Sequence, residues 1–226
     1  MTTQTTSSAP GLNDVSTEAP DPCGTFSKAI AIAQATVANV SPEQLNLPTP
    51  CDGYNVEGLL GHLCAVLRRT AAVGRGEPAM SVPQEITGIS ADGWAAEFSS
   101  ATVEVTSVWS DADLLSKLMI LPWAQMPGFA LLGMYTGEVS VHTWDLAVAT
   151  CQTPEWDLSV LAAALHAAKI GSPIDGGGRP SQFDTFKLTM PNRGEGMSAP
   201  FDEVVPTPAD APLIDQLVAW TGRKPA

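Results

Sequence analysis

Glu138 and His142 stand four residues apart in the stretch 137-GEVSVHTWDLAVAT-150, among side chains that otherwise read as interior. On a helix that spacing puts a carboxylate and an imidazole on one face. Tyr135 lies one turn earlier and Asp145 just under one turn later. Burying either group alone is costly, and burying an unpaired charge more so, so something must compensate them. The chain has three histidines. His166 lies among alanines in a later segment, whereas His62 sits midway along an apolar helical stretch, at the edge of its hydrophobic arc. An edge position looks obliquely into a bundle interior, where a facing helix can meet it. His62 with the Glu138–His142 pair gives two nitrogens and one carboxylate, a donor set of catalytic zinc with a fourth place open to water or substrate. Iron(II) or nickel accepts the same donors. A dication would compensate Glu138 and keep both imidazoles neutral. The alternative is an ordinary Glu-x-x-x-His pair on a solvated helix face. Asp145 is placed to accept the second ring N–H of His142 and orient it, or else is a solvated residue with a local salt bridge.

These residues need helices to hold them. Residues 1–21, rich in Thr, Ser and Pro, read as a disordered tail. A helical pattern covers 25–40, then the proline-punctuated loop 41–55 leads to Asn55, a natural N-cap for a helix over 56–73. In it Val56, Leu59, Leu60, Leu63, Val66 and Leu67 share a face. A third helix is expected over 90–110, with Trp94, Phe98, Val105 and Trp109 inward, and a short extended connection over 117–128, broken by Pro122 and Pro127. The fourth helix runs from Gly128 to Ala149 and carries Glu138 and His142; a fifth, over 157–170, opens on an Asp cap. Beyond it come a Gly-rich loop at 171–182, a short strand at 186–190 and a last helix at 210–220. The pattern is all-α: a four-helix bundle, with a short mixed C-terminal extension over about 171–226 in one domain spanning 22–226.

With 44% apolar residues among 226, the chain can bury a full core. Its formal net charge of −13 argues against nucleic acid and against an anionic membrane surface. The first 27 residues hold no Lys, Arg or apolar run, and no apolar segment approaches a membrane span. The four cysteines form no CxxC pair. The expectation is a cytoplasmic protein.

The remaining candidates read as structure. Cys64 points away from His62 and packs as a small apolar residue, and Trp94 and Trp144 belong to the core. Cys51 stands in the loop before the second helix, near a possible site mouth, and Tyr135 is core or a hydrogen-bond donor to substrate. Arg68, Arg69, Arg75 and Arg179 are surface arginines unless one meets an anionic thiol or a substrate carboxylate. The run Gly176–Gly178 lacks the ending of a phosphate loop, no Gly-x-Ser-x-Gly elbow exists, and without paired Glu-x-x-His motifs a single metal is expected.

The segments 48-PTPCDGYNVEGLLGHL-63 and 137-GEVSVHTWDLAVAT-150 resemble the metal-binding domain of the mycothiol-dependent maleylpyruvate isomerases, within the DinB-like superfamily. Tyr54 replaces a usual Trp and Thr143 a usual Gly, and the ending 204-VVPTPADAPLIDQLVAWTGRKP-225 is similar to the close of a short actinobacterial branch. The resemblance covers residues 25–150 well. It implies an up-down four-helix bundle, one divalent metal, most readily zinc, on His62, Glu138 and His142, and a low-molecular-weight thiol such as mycothiol as co-substrate. The isomerase itself carries a further C-terminal domain for which 171–226 is too short, so its reaction does not transfer. The expectation is transfer or isomerisation of an electrophilic small molecule through a metal-bound thiol, with a homodimer possible. The alternatives are a non-catalytic metal-binding sensor or interaction module, and a hydrolase using metal-bound water.

Overall fold

Most of the long helices begin where the chain supplies a cap. In the computed structural model, which describes residues 21–171 and 202–225, α1 (Pro22–Ala38) opens with Asp21 accepting from the backbone N–H groups of Cys23 and Gly24, and with Pro22 at the first helical position. This cap starts the helix ahead of the apolar pattern. α2 (Val56–Gly74) opens on Asn55, whose side-chain oxygen accepts from the Gly58 N–H at 2.9 Å. α3 (Trp94–Val108) starts later than the pattern suggests, because residues 91–93 form a turn and Gly93 offers no side-chain cap. α4 (Gly128–Ala149) has the expected bounds. α5 (Leu158–Gly171) follows Asp157, which accepts from the N–H groups of Ser159 and Val160 at 2.8 and 3.3 Å. α6 (Leu213–Trp220) begins just after Pro212.

Helices α1 to α4 form the bundle: α4 packs on α1 and α2, and α3 packs on α2 and α1. Their directions follow from who meets whom. Arg68 meets Glu97 and Arg75 meets Glu104, so α2 and α3 run the same way. The connection 75–93 carries the chain back along α2, where the Ile86 N–H donates to the Gly61 carbonyl at 3.0 Å. α1 and α4 run the other way: Cys23 at the start of α1 and Gly128 at the start of α4 both lie against Trp109. At the other end Gln152, just past α4, reaches the Thr36 carbonyl near the end of α1. α2 and α4 are therefore antiparallel.

The predicted extended connection is a two-stranded hairpin, β1 (Leu118–Ile120) and β2 (Gln125–Pro127), with Met119 opposite Met126. Its alternation buries Met119 and exposes Leu118 and Ile120. The core runs along the bundle axis through Phe26, Leu59, Leu63, Phe98, Leu131 and Tyr135. A second apolar cluster joins the outer face of α4 (Val141, Trp144) to α5 (Leu161, Leu165) and α6 (Leu217, Val218). The C-terminal helix thus clamps onto the helix that carries Glu138 and His142. Among the described residues no helix is long and apolar enough to cross a membrane. Residues 1–20 of the expected tail, most of the 171–182 loop and the 186–190 strand lie outside the described residues.

Candidate metal centre

His62, near the middle of α2, and Glu138 and His142, one turn apart on α4, converge between the two antiparallel helices. One donor atom from each lies within 4.8 Å of the others. The Glu138 Oε1 is 3.5 Å from the His62 Nε2. The two imidazole rings meet edge to face, centroids 4.8 Å apart. The histidines are nearly buried, while the Glu138 side chain is 27% exposed.

Each ring is held from behind. The His62 Nδ1 lies 2.9 Å from the Gln84 carbonyl oxygen. A carbonyl only accepts, so Nδ1 is the donor there and Nε2 is the nitrogen turned to Glu138. The backbone delivers that carbonyl because Gly61 lets the 84–86 segment lie directly on α2; a Cβ there would run into the Ile86 carbonyl oxygen. The Tyr54 ring covers His62, with its hydroxyl 3.5 Å from Nδ1. The His142 Nδ1 lies 3.1 Å from Asp145 Oδ2, so it too donates and leaves its Nε2 free.

Asp145 is fully buried. Arg223, in the segment after α6, donates to it through Nε at 3.2 Å and Nη2 at 3.0 Å, and through Nη1 to the Thr221 carbonyl at 3.3 Å. Burial pushes the Asp145 carboxyl up, but the His142 hydrogen bond and the Arg223 charge outweigh it and hold it below the usual carboxylate value. Burial pushes His142 below its ordinary value, against the pull of Asp145. At Glu138 burial is likewise outweighed, first by the His62 hydrogen bond and charge, then by His142 and Arg69. The site at neutral pH is thus two carboxylates and a neutral His142. The residues fit a small dication: two imidazoles tethered through Nδ1, each with Nε2 to offer, and one carboxylate within reach of them.

The other candidates sort clearly. His166 is exposed on α5, and Cys64 is buried away from the triad with its thiol pushed up to about 12. Cys51 does lie at the site: its Sγ is grouped with His142 and Asp145, and burial, against Arg223, pushes its thiol up to about 11, so it is protonated and unreactive at neutral pH. Arg68 and Arg75 pair with Glu97, Glu104 and Glu77 near the surface. Arg69, read as a surface arginine, is instead buried, because the 82–86 segment covers it and its Nη2 donates to the Pro83 carbonyl. Arg179 and the Gly176–Gly178 run lie outside the described residues. Sequence reasoning missed Gln84, which acts through its backbone, and Arg223, whose partner is 78 residues away; its only signal is a basic residue just past the last helix.

The model of the mycothiol maleylpyruvate isomerase N-terminal domain matches residues 26–147, which span α1 to α4 and all three converging residues. The chain belongs to this family. Over 90% of its length it is 28% identical to two uncharacterized proteins of Mycobacterium tuberculosis, recorded from two strains, covering 98% of each. The fold is also that of the crystal structure of the mycothiol-dependent maleylpyruvate isomerase: TM-score 0.53 at 13% identity, covering 71% of this chain and 70% of that one. A histidine-to-alanine mutant of that isomerase gives a TM-score of 0.51 at 12% identity. The family match extends over the bundle and stops short of α5 and α6, whereas the mycobacterial relatives share nearly the whole length.

Proposed function

We propose that this family member is a mononuclear metal-dependent enzyme that uses a low-molecular-weight thiol of the mycothiol type to transfer or isomerise an electrophilic small molecule. His62, Glu138 and His142 would hold the metal, zinc being the best match to the donors. The observation that carries the reading is the pair of tethered imidazoles: each Nδ1 is tied to an acceptor, which leaves Nε2 as the nitrogen each ring can offer a metal beside Glu138. A solvated helix-face pair needs no such tethers. Membership of the isomerase family supports the thiol.

The chemistry that such an ion supplies is acidification of a coordinated thiol to its nucleophilic thiolate. The chain's own residues do the rest. Asp145, kept ionised by Arg223, fixes the His142 ring through Nδ1–H. The Gln84 carbonyl does the same for His62, and the Tyr54 ring shields that side from water. Glu138, the most exposed of the three, marks the side from which thiol and electrophile enter.

The test is thiol-dependent consumption of a generic electrophile by zinc-loaded protein, against the chelated protein and Glu138→Ala. Turnover that needs thiol, metal and Glu138 together is expected. Equal rates in all three preparations would reject the enzyme and leave a metal-binding module.

A further inference from the structure

A buried guanidinium without a carboxylate lies beside the triad. Of the four arginines among the described residues, Arg68, Arg75 and Arg223 each pair with a carboxylate. Arg69 pairs with none. It is 8% exposed, its Nη2 donates only to the Pro83 carbonyl oxygen at 3.1 Å, and its Nε is buried without an acceptor. A guanidinium has five N–H donors, and a buried cation so poorly matched is costly. Tyr135 shows the same deficit: its hydroxyl is buried with no partner, and the residue is 1% exposed.

The two residues lie to the same side of the triad. Arg69 is seven residues past His62 on α2, and Tyr135 is seven residues before His142 on α4. Seven residues are two helical turns, about 10 Å of rise, and the helices are antiparallel, so the two displacements coincide. Glu138 lies between, one turn from Tyr135. The Arg69 charge is felt at both Tyr135 and Glu138.

We propose that Arg69 and Tyr135 form a recognition subsite for a single carboxylate, carried by the electrophilic substrate or by the thiol that reacts at the neighbouring centre. A guanidinium edge with a free Nε and one hydroxyl suit a flat two-oxygen acceptor. A single guanidinium charge, already felt by the Glu138 carboxylate, favours a monoanion over a phosphate dianion. Assigning the carboxylate to a reacting molecule rests on the function proposed above; the subsite itself does not.

The experiment uses two probe pairs that differ only in the carboxylate: crotonate with crotonamide, and N-acetylcysteine with its amide. Dissociation constants are measured on the full chain by NMR titration, following the Arg69 Nε–H signal, first as purified and then after chelation. In the pair that matches the natural source, the carboxylate should bind at least about tenfold more tightly than the amide and shift the Arg69 signal. That preference should survive chelation, vanish in Arg69→Gln and fall severalfold in Tyr135→Phe. Which pair shows it tells substrate from thiol. No preference in either pair, one lost on chelation, or one unchanged in folded Tyr135→Phe would overturn the proposal. The Phe variant keeps the ring packing and decides the matter if Arg69→Gln fails to fold. Failure to bind metal at the triad would reject the proposed function without touching this result.

Discussion

Replacing Arg223 by Ala removes both hydrogen bonds to a carboxylate with no access to solvent. Breaking a buried ion pair from one side costs about 3–5 kcal/mol. Asp145 keeps the His142 Nδ1–H, and the Arg223 side chain is itself 12% exposed, so the lower end, about 3 kcal/mol, applies. At roughly 2–4 °C per kcal/mol for a domain of this size, the melting midpoint of the metal-free protein should fall by about 6–12 °C. A second effect is specific to the centre. Without Arg223, Asp145 is held only by the His142 Nδ1–H, and the anchor of the His142 ring is loosened. Zinc affinity, measured by competition with a chromophoric chelator, should drop about 10–100-fold. Arg223→Lys, which keeps the charge but not the fork, should fall between. Unchanged melting together with unchanged zinc affinity would refute the claim that the C-terminal segment holds the centre in place.

Gly61→Ala should push the 84–86 segment off α2 and withdraw the Gln84 carbonyl from His62. A loss of about 1–3 kcal/mol in urea unfolding is expected, with weaker zinc binding; wild-type values of both would mean that the loop does not hold His62. The metal-free protein should lose stability as pH falls from 7 to 5. His142 is held below its ordinary 6.5, so the unfolded chain binds more protons through that range. Asp145 and Glu138, held below 3.8 and 4.5, extend the loss as pH drops further. Urea midpoints should show the upper part flattened in His142→Gln, and an unaltered slope would contradict that assignment. Cys151 ends α4 with φ of 57°, a left-handed conformation that glycine adopts freely. Cys151→Gly should therefore stabilise by up to about 1 kcal/mol, and a lower urea midpoint would count against the strain.

Much of the bundle was legible because its signals are local. Asn55 announces α2 and Asp157 caps α5, each by accepting from backbone N–H groups next to it in sequence, while α4 opens directly after Pro127 with no side-chain cap. The convergence of His62 with Glu138 and His142 could be read from helical spacing together with one edge position. What was hidden depends on the path of the chain between helices. The same direction of α2 and α3 follows from the 75–93 connection, which carries no periodic pattern. That connection also buries Arg69, which sequence alone places on the surface. Gln84 contributes a carbonyl that any residue type would offer. Arg223 reaches Asp145 only because α6 packs on the outer face of α4, a tertiary contact across 78 positions. Local propensity fixes a helix's ends but not the neighbour it will meet.

The central claim is that His62, Glu138 and His142 hold one divalent metal. Metal content per chain, on wild type and on Glu138→Ala purified side by side and offered zinc, tests it most directly. About one zinc per wild-type chain, lost or greatly reduced in the variant, is the predicted result. No metal in either protein would contradict it, and would leave the two tethered imidazoles as a polar contact within the bundle.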